Sequence, residues 1–463
     1  MNVTLVAHAC ILFESKNTKV ITDPILFGYL WEEINVHCPA IDLNIEKIPK
    51  VDVLNISHRH QDHFDIRSLA YLATYKSFCS PDTVVLAPQD EILLEVLEEV
   101  GLKNITPVRD FEPITVGDLT LTPTPSMNEQ DYFPEHGLLV HDGEVTVWNQ
   151  VDTIVTPDIV NYLKDLYPRI NFAHNRFLPL LEGNFSFHQP LSLPFEEYSS
   201  FLRVVKAVQP EWSVPGSAGF RYRDEYDFLN QYSFPTTQEQ FISDLKSFAP
   251  EINTSTFFPG DMAEVTAQGV EIHRQHSSFV KMRENDEYRI EFKPVAEVPR
   301  IKTLTVEPEK QEEEWATIRN FVEDEFIGAL KECKLYSIYA EWQVVYQLEV
   351  FGEKESVIWS LDFRKENLEW VEDRVGRINL YEGIASSELV GLINDEANWD
   401  FIGISAQYRY FHNIYRLADG QFECFPSNKK FPAPLMQIFA AGVEMDRRKF
   451  MLDAIRWKNH YQR

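Results

Sequence analysis

Four side chains able to bind a metal stand close together in the stretch VDVLNISHRHQDHF: His58, His60, Asp62 and His63. An apolar run from Val51 to Ile56 leads into Ser57 and the first histidine. In an extended chain, residues two apart project to one side, so His58 and His60 can share one ion. Asp62 and His63, at the turn into a helix, can reach a second ion. Imidazoles and carboxylates at this density are costly to bury unless cations pair them. The chemistry on offer is that of two metal ions side by side. Zinc would lower the pKa of a bound water for hydrolysis, and iron would activate dioxygen.

The elements that must position this cluster alternate along the first 220 or so residues. Apolar and alternating patterns mark strands at 3–13, 19–22, 51–57, 83–87, 118–122, 137–140, 145–148, 170–173 and 211–214. Helical spacing marks 66–74, 90–100, 158–166 and 195–208, with a further helix at 237–248. LLVH-DG-EVTVW reads as a hairpin with a DG turn. Hairpins mixed with helices point to two sheets with helices outside, not to one parallel doubly wound sheet.

The charged run VEPEKQEEEW, 306–315, is the candidate linker, or else the solvated start of the next helix. The domains expected on this basis are 1–300, catalytic, and 315–463, a smaller α+β accessory domain. In the second, 315–333 has helical spacing, VVYQLEVFG and SVIWSLDF alternate, 387–393 is helical, and 433–457 reads as one closing helix. There is no internal repeat and no low-complexity tract.

The 463 residues carry 43 basic and 72 acidic side chains, a net charge of −29, which disfavours nucleic acid and anionic membrane surfaces as partners. Aromatic residues reach 13%, enough for a large core and for an apolar substrate pocket. Five scattered cysteines without a CxxC pair fit reduced thiols in the cytoplasm. No Cys-x-His with Cys-x-x-His pair is present, so no Rieske cluster is expected. MNVTLVAHACILFE reads as a first strand rather than a signal peptide, and no run approaches the roughly 18 apolar residues of a membrane span.

HxHxDH after an apolar strand resembles the signature of the metallo-β-lactamase superfamily, and the resemblance covers about 1–260. The opening HACILFE…KVITDP, His8 to Pro24, is similar to a subset with N-acyl-phosphatidylethanolamine phospholipase D, UlaG-like lactonases and CMP-N-acetylneuraminate hydroxylases. The resemblance implies an αββα sandwich with metals at one edge. It also implies a third histidine on the first metal, a bridging aspartate and a last histidine on the second metal. Asp152, in VTVWNQVDT, takes the bridging place, where the family often has glycine-aspartate. No histidine stands at the third-ligand position. Glu129 lies 23 residues before Asp152 and fits, Asp131 is a further candidate, and His136 is only 16 before. Glutamate at this position also resembles the diiron β-hydroxylases of peptide-antibiotic pathways. The last histidine is missing too, with Ser217 near its place in the PGSAG turn; His174, or failing that His188, would replace it. His8 and Asp23 are expected behind the ligands, holding imidazoles in the needed tautomer.

Two mechanisms follow. In the first, a carboxylate-rich pair of iron ions uses O₂ to hydroxylate an apolar small molecule, with electrons from a separate ferredoxin or reductase. In the second, a zinc pair hydrolyses an ester, lactone, amide or phosphodiester, with Asp62 orienting the water. The missing third histidine favours iron over zinc. The C-terminal pattern weakly resembles a sterol-carrier-like domain, which implies a cavity for an apolar group or a role in a homodimer.

Overall fold

The computed structural model describes residues 1–463 except 76–77, 129–132, 292–296, 426–429 and 463. The chain divides into two units: Met1–Leu180 with Ser192–Pro294 and Phe450–Arg463, and Leu181–Leu191 with Val295–Lys449. A single cut near residue 300 does not describe this division, because a loop and the chain's end exchange membership.

The first unit holds an eight-stranded and a seven-stranded sheet. Val3, Leu5, Phe13, Val53 and Leu86 of one sheet share a core with Leu121, Val140, Val147, Phe172 and Val214 of the other. The opposite face of the first sheet, through Val6, Leu12, Leu54 and Val85, packs on the helices Ile66–Thr74 and Glu91–Val100. The opposite face of the second, through Leu139, Trp148 and Ala173, packs on Pro157–Leu166 and on Val208 of Phe195–Val208. Alternation of buried residues on both faces of each strand thus builds four layers, helix–sheet–sheet–helix.

The expected single strand over 3–13 is two, Asn2–Ala7 and Cys10–Glu14, paired antiparallel with His8 at the turn. In the first sheet Lys19–Thr22, Val53–Asn55 and Val84–Ala87 run parallel. In the second, Thr146–Asn149, Phe172–Arg176 and Trp212–Gly216 do so. Their carboxyl ends carry Asp23, Ser57–His63, Asp152, His174 and Ser217. Helix starts are fixed by aspartate caps: Asp65 accepts from Ser68 N–H, and Asp90 from Ile92 and Leu93 N–H.

The second unit has a four-stranded sheet, in order Ser356–Asp362, Val345–Phe351, Leu380–Ala385 and Tyr408–His412. The run 306–315 is not a linker but opens the helix Pro308–Asn320, with proline in its first turn. The closing helix is broken into Pro434–Ile438 and Val443–Tyr461, and Phe450 and Ala454 of the latter belong to the core of the first unit. Among the described residues no helix is long and apolar enough to cross a membrane, and the five cysteines form no disulfide.

Candidate metal centre

The apolar strand Val53–Asn55 delivers the motif into the interior: His58 and His63 are fully buried and Asp62 is 3% exposed. Arg59 turns the other way and pairs with the cap residue Asp90 at 3.2 Å. His58 Nε2 and His60 Nδ1 face each other at 2.9 Å. His63 Nε2 lies 3.4 Å from Asp152 Oδ2 and 3.7 Å from Asp62 Oδ2. His8 Nε2 lies 3.2 Å from both His63 Nε2 and Asp62 Oδ2. Two groups therefore have potential ligand atoms all within 4.8 Å of one another, His8–Asp62–His63 and His58–His63–Asp152.

The hydrogen bonds behind these atoms set the tautomers. Asp23 accepts from Ser57 N–H at 2.8 Å and from Ser57 Oγ–H at 2.7 Å. It also lies 3.0 Å from His63 Nδ1, which must carry a proton, so the neutral ring has its lone pair on Nε2, the position a metal ion would take from the ring's second proton. Ser57 has spent its only proton on Asp23, so its oxygen, 2.9 Å from His58 Nδ1, accepts from that nitrogen. His58 Nε2 is thereby left as a donor of electrons. One carboxylate thus orients both imidazoles, His58 through Ser57. His8 is wired in the opposite sense. Gly219 N–H donates to its Nδ1 at 2.9 Å, which puts the neutral ring's proton on Nε2, where it faces the Asp62 carboxylate. While neutral and so bonded, His8 holds Asp62 and does not ligate.

The charges follow this wiring. Burial would raise the Asp62 and Asp152 carboxyls, but the pull of His63 brings both below the usual carboxylate range, helped at Asp62 by the His8 hydrogen bond. Burial lowers His63, yet Asp62 and Asp152 carry it well above an ordinary imidazole. His58 is held well below by burial and by His63 and His60.

Backbone conformation marks the same rim. His8, Asp23, Val151 and Ser217 have φ of 48°, 37°, 56° and 59°. A β-branched residue in the left-handed region is strained, and Val151 bears that strain immediately before Asp152. Arg176 Nη1 donates to the Asp152 carbonyl at 3.2 Å.

The remaining expected site residues are placed as follows. Glu129 and Asp131 lie outside the described residues. His174 enters neither group: its Nδ1 is 3.1 Å from Asn149 Oδ1, and its Nε2 is buried without a hydrogen-bond partner. Burial pushes it down to about 3. A Cβ on Gly216 would stand 2.3 Å from its ring, so the glycine makes room for it. Ser217 is buried with its hydroxyl unpartnered. His188 belongs to the second unit. His136 meets Asn55 Oδ1 through Nε2 at 3.0 Å, leaving a buried Nδ1 without a partner. Ser57 and Gly219 were not singled out by sequence for these roles. A lone serine ending an apolar strand before the first histidine was the only available signal. Phe133 was missed as well; its ring lies edge-on to His60 at 4.9 Å and shields that side from water.

The fit to cations rests on these observations. Ligand atoms about 2.0–2.1 Å from one ion are about 3 to 3.4 Å apart. The separations of 2.9, 3.4 and 3.7 Å around His58, His60, His63 and the two aspartates bracket that range. Asp152 Oδ1 is buried and unpartnered, as a bridging carboxylate would leave it in the absence of its ions.

Residues 2–146 match the model of the β-lactamase superfamily domain. This segment is similar to that domain over about a third of the chain. The chain has a mixed α/β architecture of layered sheets and helices with an additional unit. A putative Rieske 2Fe-2S iron–sulfur protein of Mycolicibacterium smegmatis is 30% identical over 159 residues, 33% of this chain and 30% of that protein. The chain therefore spans under a third of that relative's length. Similar solved structures include CmlA, a diiron β-hydroxylase from Streptomyces venezuelae. It is 19% identical, covering 47% of this chain and 44% of that one, with a TM-score of 0.34. They also include an isothiocyanate hydrolase from Delia radicum gut bacteria, 18% identical over 58% of this chain and 100% of that one, with a TM-score of 0.42. Likenesses this distant do not bear on the reaction.

Proposed function

We propose that the chain is a non-haem diiron oxygenase that hydroxylates an apolar small molecule. The observation that carries this reading is the donor set around the second ion. Ser217 stands where a last imidazole would, and His8, the imidazole that meets Asp62 and His63, is tied by Gly219 N–H into the donating tautomer. His63, Asp62 and Asp152 are left to hold that ion, one imidazole with two carboxylates. Hard, oxygen-rich sets with open positions favour iron over zinc. His58 and His60 hold the first ion with Asp152 and, on this reading, Glu129.

Bound iron would supply the activation of dioxygen. The chain's own residues do the rest. Asp23 fixes His63 directly and His58 through Ser57, so both rings are already oriented to offer Nε2 to an ion, His63 on giving up its second proton. His8 keeps Asp62 ionised and aimed. Phe133 and the buried strand ends exclude water from the reacting volume. His174 Nε2, without a protein partner, is left for a water or a polar group of the substrate. Hydroxylation places one oxygen atom in a C–H bond and releases the other as water. The electrons this takes come from a separate ferredoxin or reductase.

The test is metal content and oxygen reactivity of full-length protein made in metal-balanced medium. Iron as the major metal, with an absorbance change when the reduced protein meets O₂, is the expected result. Stoichiometric zinc with esterase or lactonase turnover would replace this reading by a dizinc hydrolase in which Asp62 orients the attacking water.

A further inference from the structure

The second unit contains a cavity of about 660 Å³, within the size range of ordinary small-molecule sites. Its wall is aromatic, with Phe187, Tyr410 and Phe431 prominent. Tyr410 offers only its ring, because its phenol O–H already donates to the Phe431 carbonyl at 2.7 Å. The polar part of the lining is one-sided in charge. It includes His188, His412 and Lys430, and no aspartate or glutamate among the described residues. In a chain with 72 acidic against 43 basic side chains, a cavity lined by bases alone runs against composition.

These basic groups are also unsatisfied. His412 Nδ1 is buried without a hydrogen-bond partner. Its ring is wedged between Tyr410 and Phe431, with centroids 5.7 and 5.6 Å away. Lys430 is exposed, 5.9 Å from the Phe187 ring centre, with no carboxylate paired to it among the described residues. His188 is held there by a backbone in the left-handed region, φ 50°. Burial makes His412 harder to protonate, and the nearby His188 adds to that.

We propose that this cavity is a binding site for a small organic anion with an aromatic or alkyl body, its ring or chain against Phe187, Tyr410 and Phe431 and its carboxylate facing His188, His412 and Lys430. An apolar wall with a few convergent polar groups is the usual build of such sites. Lys430, a cation with no carboxylate partner among the described residues, gains from an anion without first breaking a salt bridge, and the buried His412 Nδ1 gains a hydrogen-bond partner. The inference is independent of the metal chemistry proposed above.

The full-length protein, titrated by calorimetry with 2-naphthylacetate and with its neutral amide, tests this. The acid should bind with one-to-one stoichiometry and about tenfold or more tighter than the amide, the scale of one hydrogen bond to a charged group. Lys430→Gln with His412→Gln should remove that preference and leave the amide's affinity unchanged. Lys430 is exposed, so Lys430→Gln alone keeps the test readable if the double variant folds poorly. Because a carboxylate can also coordinate metal ions, the location is decided by these variants. Equal affinity for acid and amide overturns the proposal. So does acid binding that ignores both substitutions, and so does the absence of binding up to millimolar acid.

Discussion

A buried carboxylate site lies in each unit, and the two are built on opposite terms. In the first unit Asp62 and Asp152 stand among imidazoles, and the pull of His63 overcomes burial and holds both ionised. In the second, Glu382 is fully buried and meets only neutral donors: Tyr408 O–H at 2.6 Å, Tyr346 O–H at 2.8 Å and Leu435 N–H at 3.1 Å. Burial pushes Glu382 up to about 7, and the three donors only partly offset it. Both oxygens of Glu382 are satisfied. Around Asp152, by contrast, Asp152 Oδ1, His136 Nδ1 and His174 Nε2 are buried without partners. Satisfied buried polarity holds a fold in register, whereas unsatisfied buried polarity of mixed charge is shaped for something not yet present.

The largest effect should come from removing the imidazoles of the first cluster. His58→Ala with His60→Ala should abolish binding of at least one metal ion while the circular dichroism spectrum stays unchanged. Elemental analysis per chain reads it. A full complement of metal in that variant would end the distinction between the two clusters.

The next effect belongs to the second cluster and is one of stability. The folded-state pKa of Glu382 lies above its unfolded value of about 4.5, so the folded chain binds the extra proton. Stability is complete below pH 4.5 and falls as pH rises to about 7, after which this group adds no further loss. The fall is on the order of 3 kcal/mol. Denaturant midpoints of the second unit's transition across that window should show the decline, and Glu382→Gln should flatten it without moving metal affinity. A decline of equal size in the variant would assign it to other groups.

Smaller, and back in the first cluster, is the cost of losing the group that orients two ligands at once. Asp23→Asn should weaken metal affinity about 10- to 100-fold with all ligands in place. Competition against a chelator measures this. An unchanged affinity would mean that the imidazoles are held by packing alone.

How much of this was legible beforehand divides along the same line. The His58–His63 stretch, the strands that carry it and the helices Ile66–Thr74 and Glu91–Val100 follow from local spacing and caps. Asp23 behind the ligands was expected only through the family resemblance of the segment His8 to Pro24. What local pattern does not carry is the partner that sets a tautomer: Gly219 is 211 residues from His8, and its N–H decides what that imidazole can do. Ser57 is adjacent to His58, yet its role depends on Asp23, 34 residues away. The closing segment hid a similar long-range fact. Helical spacing runs through 433–457 and does not reveal that Phe450 and Ala454 join the core of the first unit. Nor does residue type explain Val151, whose left-handed backbone comes from the turn that presents Asp152.

The finest test of the comparison separates the two single-ligand supports, Ser57 and His8. Ser57→Ala removes one hydrogen bond to His58 and one to Asp23, and leaves Asp23 still bonded to His63. Its cost in metal affinity should be about tenfold or less, below that of Asp23→Asn. His8→Gln can still donate to Asp62, so a donor role predicts full metal stoichiometry and a loss of similar size, whereas His8→Phe should lose more because Asp62 then has no donor on that side. If His8 were instead a ligand, His8→Gln would release one ion outright and the two substitutions would behave alike. The separation between Gln and Phe is therefore the measurement that decides whether the Gly219 N–H assigns His8 its proton.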